Sequence, residues 1–403
     1  MAVDLQAPSE LAPVPGIRLA TAAAGIRYRD RDDLLLIDAG PDAAIAALFT
    51  TNAFCAAPVQ VAREHLAAGS PRWLLVNAGN ANAGTGQPGL AAARASCAAL
   101  GRTVGAPAES VLPFSTGVIG EPLPVDRIEA ALPGLHAGLC DDGWLVAGRA
   151  IMTTDTVLKG ASRTVRLSAG TVTLTGIAKG SGMIHPDMAT MLAFVGTDAR
   201  IETALLHGLL WHAAERSFNA ITVDGDTSTN DALVCMASGA SGVEVVSAVD
   251  RDAFAAALDA LCLELAEAIV RDGEGATKFV RVMVRSARDA AEARRVAEAV
   301  ALSPLVKTAL FASDPNWGRI LAAVGRAGVE GFLIDRVRIA VNGVEIVSAG
   351  GRAPGYTEAA GKRAFAEAEL DILIDLARGD AEYCKYTCDF SYDYVRINAD
   401  YRS

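Results

Sequence analysis

The sequence predicts an α+β fold in which helices and sheets form layers. Val337–Val341 and Val344–Val347 flank Asn342-Gly343, a strong signal for a two-residue hairpin turn. Asp250–Arg271 carries apolar residues at three- and four-residue spacings, which predicts one face of a long helix. Strand pairs of this kind stand beside helices without regular βαβ alternation, which favours layered α+β over a doubly wound parallel sheet. A length of 403 residues predicts two domains, or one large unit with two lobes.

The remaining predicted elements follow from turn residues and apolar runs. Asn77–Gly84 predicts a loop because Asn and Gly favour left-handed backbone conformations. Gly101 is expected to end the alanine-rich helix that precedes Gly101 in the sequence. Pairs of short apolar runs predict strands, and an alanine-rich run predicts a helix. These elements are the strands Leu34–Ile37, Trp73–Val76 and Tyr392–Ile397, the hairpin Thr164–Leu167 with Thr171–Thr175, and the helix Leu90–Leu100.

Composition and charge exclude several classes of protein. The net charge is −11, and the basic residues are scattered among acids, so a nucleic-acid-binding surface is not expected. The N-terminus lacks a signal-peptide pattern, and no apolar run is long enough to span a membrane. Seven cysteines, an odd number without zinc-site spacing, predict reduced thiols in a cytoplasmic protein.

Thr190 is the first candidate for chemistry, within the block Lys179–Ala199. By itself, a threonine at the start of the predicted buried strand Met191–Val195 is an ordinary structural residue. The alternative is an N-terminal nucleophile released by cleavage of the Ala189–Thr190 bond. A free α-amino group has a pKa of about 7.7–8.0 and could then act as the base for the threonine hydroxyl.

Thr116 and Gly117 are the second candidate, within Phe114–Gly120. A hydroxyl beside a glycine amide can supply two donors to one developing oxyanion. Since Ser-Thr-Gly is a common sequence, a plain turn is the simpler interpretation of this segment taken alone.

Four further segments concentrate polar groups. Lys179–Gly182 is similar to an anion-binding loop, although it lacks the rest of a phosphate-loop motif. Asp224–Asp231 could bind a metal ion or form a capped turn, and it lacks the twelfth-position glutamate of an EF-hand. Met152–Thr156 is dense in hydroxyls, and Asp272–Ala276 places one carboxylate between glycines, where it could bind an ammonium group or remain solvated.

Taken together, these motifs resemble the ornithine acetyltransferase family of arginine biosynthesis, also called the glutamate N-acetyltransferase or ArgJ family. The matching segments occur in order along nearly the whole chain. They are Phe49–Asn52, Asn77–Asn82, Ser115–Gly120, Ile151–Thr156, Lys179–Ala199, Asp224–Asp231, Asp272–Lys278, Ser313–Arg319 and Ile397–Ser403. One departure is Val157–Lys159, where many family members have an aromatic residue followed by proline.

The resemblance implies a fold, a processing step and a set of site residues. The fold is a layered αββα sandwich similar to that of DmpA, processed into chains 1–189 and 190–403 by self-cleavage at Ala189–Thr190. Thr190 is the implied nucleophile, which receives acetyl from N2-acetylornithine and passes it to glutamate by a ping-pong route. Thr116 and Gly117 match the oxyanion pair. The implied substrate contacts are Thr153, Lys179, Thr190, Glu274, Asn398 and Ser403.

The resemblance also implies small-molecule substrates, no metal and no cofactor, with acetyl-CoA as a second acetyl donor left open. The implied assembly is a heterotetramer of two processed pairs of chains. Two alternatives remain. One is an N-terminal-nucleophile aminopeptidase or amidase, in which water takes the acyl group, and the other is a binding protein without catalysis.

Overall fold

The computed structural model describes residues 2–69, 71–185 and 191–400. Within these ranges the strands are β1 (Arg18–Ala22), β2 (Leu34–Asp38), β3 (Ala44–Phe49), β4 (Trp73–Asn80), β5 (Val111–Val118), β6 (Lys159–Leu167), β7 (Gly170–Lys179), β8 (Leu192–Thr197), β9 (Ala232–Ala237), β10 (Phe279–Ala287), β11 (Arg338–Val341), β12 (Val344–Ser348), β13 (Gly351–Arg352), β14 (Glu369–Asp375) and β15 (Ala381–Cys388).

The helices connect and cover these strands. They are α1 (Ala57–Ala68), α2 (Gly86–Val104), α3 (Val125–Ala137), α4 (Trp144–Ala150), α5 (Thr203–Arg216), α6 (Ala248–Arg271), α7 (Ala290–Ala301), α8 (Pro304–Phe311), α9 (Trp317–Gly325), α10 (Glu358–Ala366) and α11 (Tyr392–Ala399).

The chain divides into two compact units. The larger unit comprises Gln6–Asn219 and Asp226–Ile269. The smaller unit comprises Met1–Leu5, Ala220–Gly225 and Val270–Ser403. This division follows packing, whereas the predicted chains 1–189 and 190–403 follow from a processing step, so the division does not test them.

The larger unit contains two facing sheets. Sheet I has the strand order β1-β2-β4-β5, and sheet II has the order β3-β9-β8-β7-β6. Phe114 of sheet I packs edge-on against Phe194 of sheet II, with ring centroids 5.3 Å apart, in the core between the sheets. Because successive side chains along a strand point to opposite faces, the residues next to these in each strand point to the outer face of its sheet.

Helices cover the outer faces of both sheets. Leu36 and Leu75 of sheet I pack with residues of α2 and α3. On sheet II, a Cβ at Gly176 would lie 2.9 Å from Leu265 of α6, so glycine lets this helix approach closely. The predicted α+β class and αββα layering are therefore confirmed in the larger unit.

The smaller unit is built on sheet III, with the order β13-β12-β11-β14-β10-β15. One face carries Val282 and Ile372 into a core shared with α7 to α10. The other face carries Arg281, which forms an ion pair with Asp371 at 2.8 Å. The alternation between apolar and charged residues thus matches the two faces of the sheet.

Several predicted elements agree with the structure. The hairpin between β11 and β12 turns at Asn342 and Gly343, whose φ angles are +46° and +77°, as a two-residue turn of this kind requires. The β6–β7 hairpin and the long helix α6 are also present, with longer strands in the hairpin.

The predicted boundaries near Asn77 and Gly101 were wrong. Residues 77–80 continue β4, because they pair in parallel with Ser115–Val118 of β5. Helix α2 runs past Gly101 to Val104 and ends at Gly105, which adopts a left-handed conformation with φ of +70°. A glycine with this φ angle is a common helix terminator.

The predicted strand Tyr392–Ile397 was also wrong, since this segment forms α11. The Ser391 side chain caps the helix by accepting the N–H groups of Asp393 and Tyr394. The segment is rich in aromatic and β-branched residues, which are common in strands. In the described structure α11 has no buried residues, so these apolar side chains do not mark the buried face of a strand.

Candidate active site

Thr116 and Gly117 lie near the end of β5, in the larger unit. The interpretation of this segment as a plain turn was wrong, because both residues pair with β4. Thr116 is buried, and its Oγ1 accepts a hydrogen bond of 3.1 Å from Nζ of Lys179. A hydroxyl that accepts from an ammonium group keeps its own proton available for another acceptor, such as a developing oxyanion.

Glycine is required at position 117 by a close approach of two strands. Its φ is +131°, and a Cβ there would lie 2.2 Å from the carbonyl carbon of Gly79. The neighbouring strand therefore fills the space that a side chain would take. This approach fixes the backbone of the predicted oxyanion pair against β4.

Lys179 links the Thr116 side chain to the strand that follows Thr190. It is the last residue of β7 and pairs with Leu192 of β8. Its side chain crosses to Thr116 of sheet I from sheet II. Lys179 is buried, so its charge acts in a medium of lower dielectric constant than water.

Asp155 organises the backbone around Lys179 and Thr153. Its carboxylate accepts hydrogen bonds from Gly180 N–H at 2.7 Å and from Thr153 N–H at 3.0 Å. It also forms an ion pair of 2.7 Å with Lys159, and both side chains are fully buried. Burial alone would raise the pKa of the Asp155 carboxyl, but the charges of Lys159 and Lys179 hold it below its usual value.

This role of Asp155 was missed in the sequence, where it was one residue in a hydroxyl-rich segment. Lys159 supplies the charge that stabilises the Asp155 carboxylate. It is the last residue of Val157–Lys159, the segment that departs from the family pattern. A carboxylate four residues before a lysine was the available signal. Only the fold shows that both are buried.

Ser228–Asp231, at the end of the predicted metal or capped-turn segment, is buried and precedes β9. Asn230 donates to the carbonyl oxygens of Ser115 at 3.0 Å and Ala81 at 2.7 Å. Asp231 accepts the N–H of Met191 at 2.9 Å. Across residues 2–69, 71–185 and 191–400, no group of three or more His, Cys, Asp or Glu side chains is arranged to hold a metal ion.

Two predicted substrate contacts meet in the smaller unit. Nδ2 of Asn398, on α11, donates to Oε2 of Glu274 at 2.9 Å. Helix α11 is held near the loop that carries Glu274, because the Ser391 hydroxyl donates to the carbonyl of Gly275 at 2.5 Å. Glu274 is buried, which leaves its carboxylate partly shielded from water.

The other predicted site residues, Ala189, Thr190 and Ser403, lie outside the described residues. Of the predicted set, the structure therefore brings together Thr116, Gly117 and Lys179, with Thr153 joined to them through Asp155. Glu274 and Asn398 form a second pair in their own unit.

None of the helices in the described ranges combines the length and the apolar character that a membrane span requires.

A family model, that of the ArgJ family, matches residues 18–403. The chain belongs to the ArgJ family. The recognition from sequence is thereby confirmed, and with it the acetyltransferase enzyme class.

Similar proteins include two that are named "Arginine biosynthesis bifunctional protein ArgJ". The one from Methylococcus capsulatus is 59% identical over 98% of this chain and 97% of its own length. The one from Psychrobacter arcticus is 53% identical over 99% of both chains. A solved structure of the ArgJ protein from Bacillus halodurans is 40% identical, covers 50% of this chain and 95% of that chain, and has a TM-score of 0.48.

Proposed function

We propose that this protein is an acetyltransferase of arginine biosynthesis that moves the acetyl group of N2-acetylornithine to glutamate. The reaction is a ping-pong exchange through an acetyl ester on Thr190. Thr190 becomes a chain start when the precursor cuts itself at Ala189–Thr190, which yields chains 1–189 and 190–403. Acetyl-CoA is a second acetyl donor in the bifunctional form of this proposal.

Family membership supports the pathway. The relatives from Methylococcus and Psychrobacter carry names that specify arginine biosynthesis and two functions. The family model spans residues 18–403, a range that contains every proposed site residue.

The contact between Lys179 and Thr116 is the observation that carries the proposal. Lys179 pairs with Leu192, two residues after Thr190, and its Nζ binds the hydroxyl of Thr116. An oxyanion donor, a buried cation and the strand that follows the proposed nucleophile thus converge. Such a constellation suits acyl transfer, in which negative charge develops on a carbonyl oxygen beside the nucleophile.

Each proposed role follows from the chemistry of its group. The freed α-amine of Thr190 takes the hydroxyl proton as the ester forms and returns it to the departing amine of ornithine. The hydroxyl of Thr116 and the N–H of Gly117 stabilise the oxyanion. Water that attacked the ester instead would release acetate, so the acceptor amine must occupy the site first.

The substrate contacts divide between carboxylate and ammonium recognition. Lys179, with Thr153 beside it, is suited to the α-carboxylate that both substrates share. Glu274, oriented by Asn398, is suited to the side-chain ammonium of ornithine. Ser403 completes the proposed set as a further hydroxyl contact.

The proposal places the enzyme in the cytoplasm as a heterotetramer of two processed pairs of chains. Its partners are small molecules, and it needs neither a metal ion nor a resident cofactor.

The decisive experiment mixes the purified protein with N2-acetylornithine and isotopically labelled glutamate. Labelled N-acetylglutamate is expected from the wild type, and none from Thr190→Ala. Acetate without N-acetylglutamate would instead establish the hydrolase alternative. Absence of both products, with binding of either substrate retained, would establish a binding protein and overturn the proposal.

A further inference from the structure

The loop between β1 and β2 carries a guanidinium group to the segment that contains Thr153. Nη2 of Arg31 donates to the carbonyl oxygen of Met152 at 2.8 Å. Met152 precedes Thr153, and both lie in the irregular segment between α4 and β6. The contact therefore joins a loop of sheet I to the connection that leads into sheet II.

The peptide group between Met152 and Thr153 is held at both ends by charged side chains. Arg31 binds its carbonyl oxygen, and the Asp155 carboxylate accepts the N–H of Thr153 at 3.0 Å. A peptide group is planar, so two bonds on its opposite edges fix its orientation. Hydrogen bonds to charged groups are also stronger than those between neutral groups. Arg31 and Asp155 together therefore position the backbone of Thr153.

The Arg31 side chain is itself held by an aromatic ring. Its Cζ lies 3.7 Å from the centroid of the Tyr28 ring, within the range of a cation–π contact. A guanidinium group is planar and stacks on such a ring, whereas an ammonium group has no flat face. The stacking restricts the side chain, so that its donor stays directed at Met152.

The loop that carries Arg31 is anchored at its base. The buried carboxylate of Asp33 accepts the N–H groups of Ala24 at 2.8 Å and Arg27 at 3.4 Å. Arg27 packs against β4, where a Cβ at Gly79 would lie 2.6 Å from the Arg27 Cβ. One anchored loop therefore contacts the backbone beside the oxyanion pair and the backbone beside a proposed substrate contact.

Stability alone gives a poor account of Arg31. Among the described residues its Nε is buried and has no hydrogen-bond partner. A buried polar atom without a partner costs free energy, and such an atom needs a reason in a native structure. A lysine could supply one donor to Met152 without leaving this nitrogen unpaired. The need for a planar, rigidly held donor at this position is such a reason.

Thr153 depends on this support because of where it lies. Together with Lys179, it is a proposed contact for the α-carboxylate that both substrates share. Residues in an irregular segment lack the regular backbone hydrogen bonds that hold helices and strands in place. A displacement of about 1 Å in a positioning group can cost on the order of 10²-fold in rate. The clamped peptide group supplies the rigidity that the segment itself lacks.

We propose that Arg31 is a positioning residue for substrate binding, a role that rests on the proposed function. It orients Thr153 through the Met152 carbonyl and does not itself contact the substrate. Because Thr153 is assigned to a carboxylate that takes no part in acetyl transfer, loss of Arg31 weakens the binding of both substrates and leaves the chemical step largely unchanged.

The test is a double-mutant cycle of Arg31→Met and Thr153→Ala, measured by initial rates of acetyl transfer from N2-acetylornithine to glutamate. Methionine keeps an unbranched side chain but has neither a charge nor a donor. In the wild-type background, Arg31→Met should raise KM for both substrates on the order of tenfold, as expected for one lost hydrogen bond to a charged group, while kcat changes little. In the Thr153→Ala background the same change should raise KM by less than about twofold, because Arg31 acts through Thr153.

Two further variants complete the design. Arg31→Lys keeps a charge and one donor, so its KM should lie closer to the wild-type value than that of Arg31→Met. Its smaller rise in KM should also disappear with Thr153→Ala, which keeps the test decisive if Arg31→Met does not fold. Arg94→Met is the matched control, since it removes an arginine from an exposed ion pair with Glu64 and should leave both KM values unchanged.

An equal rise in KM in both backgrounds would overturn the proposal, because neither a direct contact nor a general loss of structure acts through Thr153. A fall in kcat with unchanged KM would also overturn it. Thr153→Ala separates this proposal from the proposed function. If it leaves both KM values unchanged, Thr153 is not a substrate contact, and the inference fails with that part of the proposed function. If Thr153→Ala raises KM and Arg31→Met does not, the role of Arg31 alone is rejected.

Discussion

Nζ of Lys179 lies 3.1 Å from Oγ1 of Thr116, and both side chains are buried. The two residues come from different sheets, so this bond joins sheet I to sheet II in the larger unit. An ammonium group that donates to a hydroxyl polarises it and leaves its proton for a third atom. The relationship explains why a lysine far from Thr116 in sequence belongs to the same site.

Removing the Thr116 hydroxyl should reduce the rate of acetyl transfer. Loss of one oxyanion donor typically costs on the order of 10²–10³ in kcat, and we expect this range for Thr116→Ala. Thr116→Ser keeps the hydroxyl that binds Lys179, and it serves as the matched control with activity close to wild type. Steady-state kinetics of both variants check the prediction, and equal activity of Thr116→Ala and wild type would remove Thr116 from the oxyanion site.

Local signals made part of this site predictable from the sequence. The hairpin at Asn342-Gly343 was predictable because its positive φ angles depend on those two residues themselves. Thr116, Gly117 and Lys179 were recognised because they stand in segments that match one family in order.

Other features depend on packing between distant segments. Asp231 looked like part of a capped turn, and its burial against Met191 arises only when β8 and β9 pair in parallel. Tyr392–Ile397 was misjudged because its aromatic and β-branched residues belong to a helix that has no buried residues. A short stretch of sequence does not show which strand will pair with it or which of its side chains will face solvent.

Gly117 should tolerate no side chain. Its φ is positive, and a Cβ would overlap the backbone of Gly79. Gly120 is the matched control, since its φ is +86° but a Cβ there meets nothing within 4 Å. Gly120→Ala should lower the free energy of unfolding by about 1–2 kcal/mol from backbone strain. Gly117→Ala should lower it by more in urea denaturation, and equal losses would show that the close approach to Gly79 is unimportant.

Asp155→Asn should destabilise the protein, because it leaves Lys159 buried without its counter-charge. Breaking one side of a buried ion pair typically costs about 3–5 kcal/mol. Glu64→Gln is the control, since it breaks an exposed pair with Arg94 that should contribute less than about 1 kcal/mol. Equal changes in the free energy of unfolding for both variants would contradict the buried-pair account.

The pH dependence of the Asp155 effect has a defined sign. The folded-state pKa of Asp155 lies below its usual value, so its stabilisation is present above the ordinary aspartate pKa of about 3.9. It should be lost only as the pH falls further, through the depressed pKa. Unfolding measured from neutral to acidic pH checks this, and loss of the difference near pH 5 would contradict it.

The contribution of Asp231 to stability should change with pH in the direction opposite to that of Asp155. Since the folded-state pKa of Asp231 is raised, the folded protein binds its proton more strongly than the unfolded chain does. Wild-type stability therefore decreases as the pH rises from the ordinary aspartate pKa toward the raised pKa, and asparagine removes this decrease. The Tm of Asp231→Asn relative to wild type should rise with pH, and a difference that is constant with pH would contradict a neutral buried acid.

Glu274→Gln should separate the two substrates kinetically. Glutamine keeps an acceptor for Asn398 but removes the charge assigned to the ornithine ammonium. The KM for N2-acetylornithine should rise at least tenfold, while the KM for glutamate changes little. Equal increases for both substrates in two-substrate kinetics would contradict this assignment.

The intact masses of the purified protein under denaturing conditions test the central claim most directly. A nucleophile at Thr190 requires two chains, 1–189 and 190–403, with threonine as the new N-terminal residue of the second. Thr190→Ala should instead give one uncut chain. A wild-type protein that remains a single chain of 403 residues while transferring acetyl groups would contradict the account.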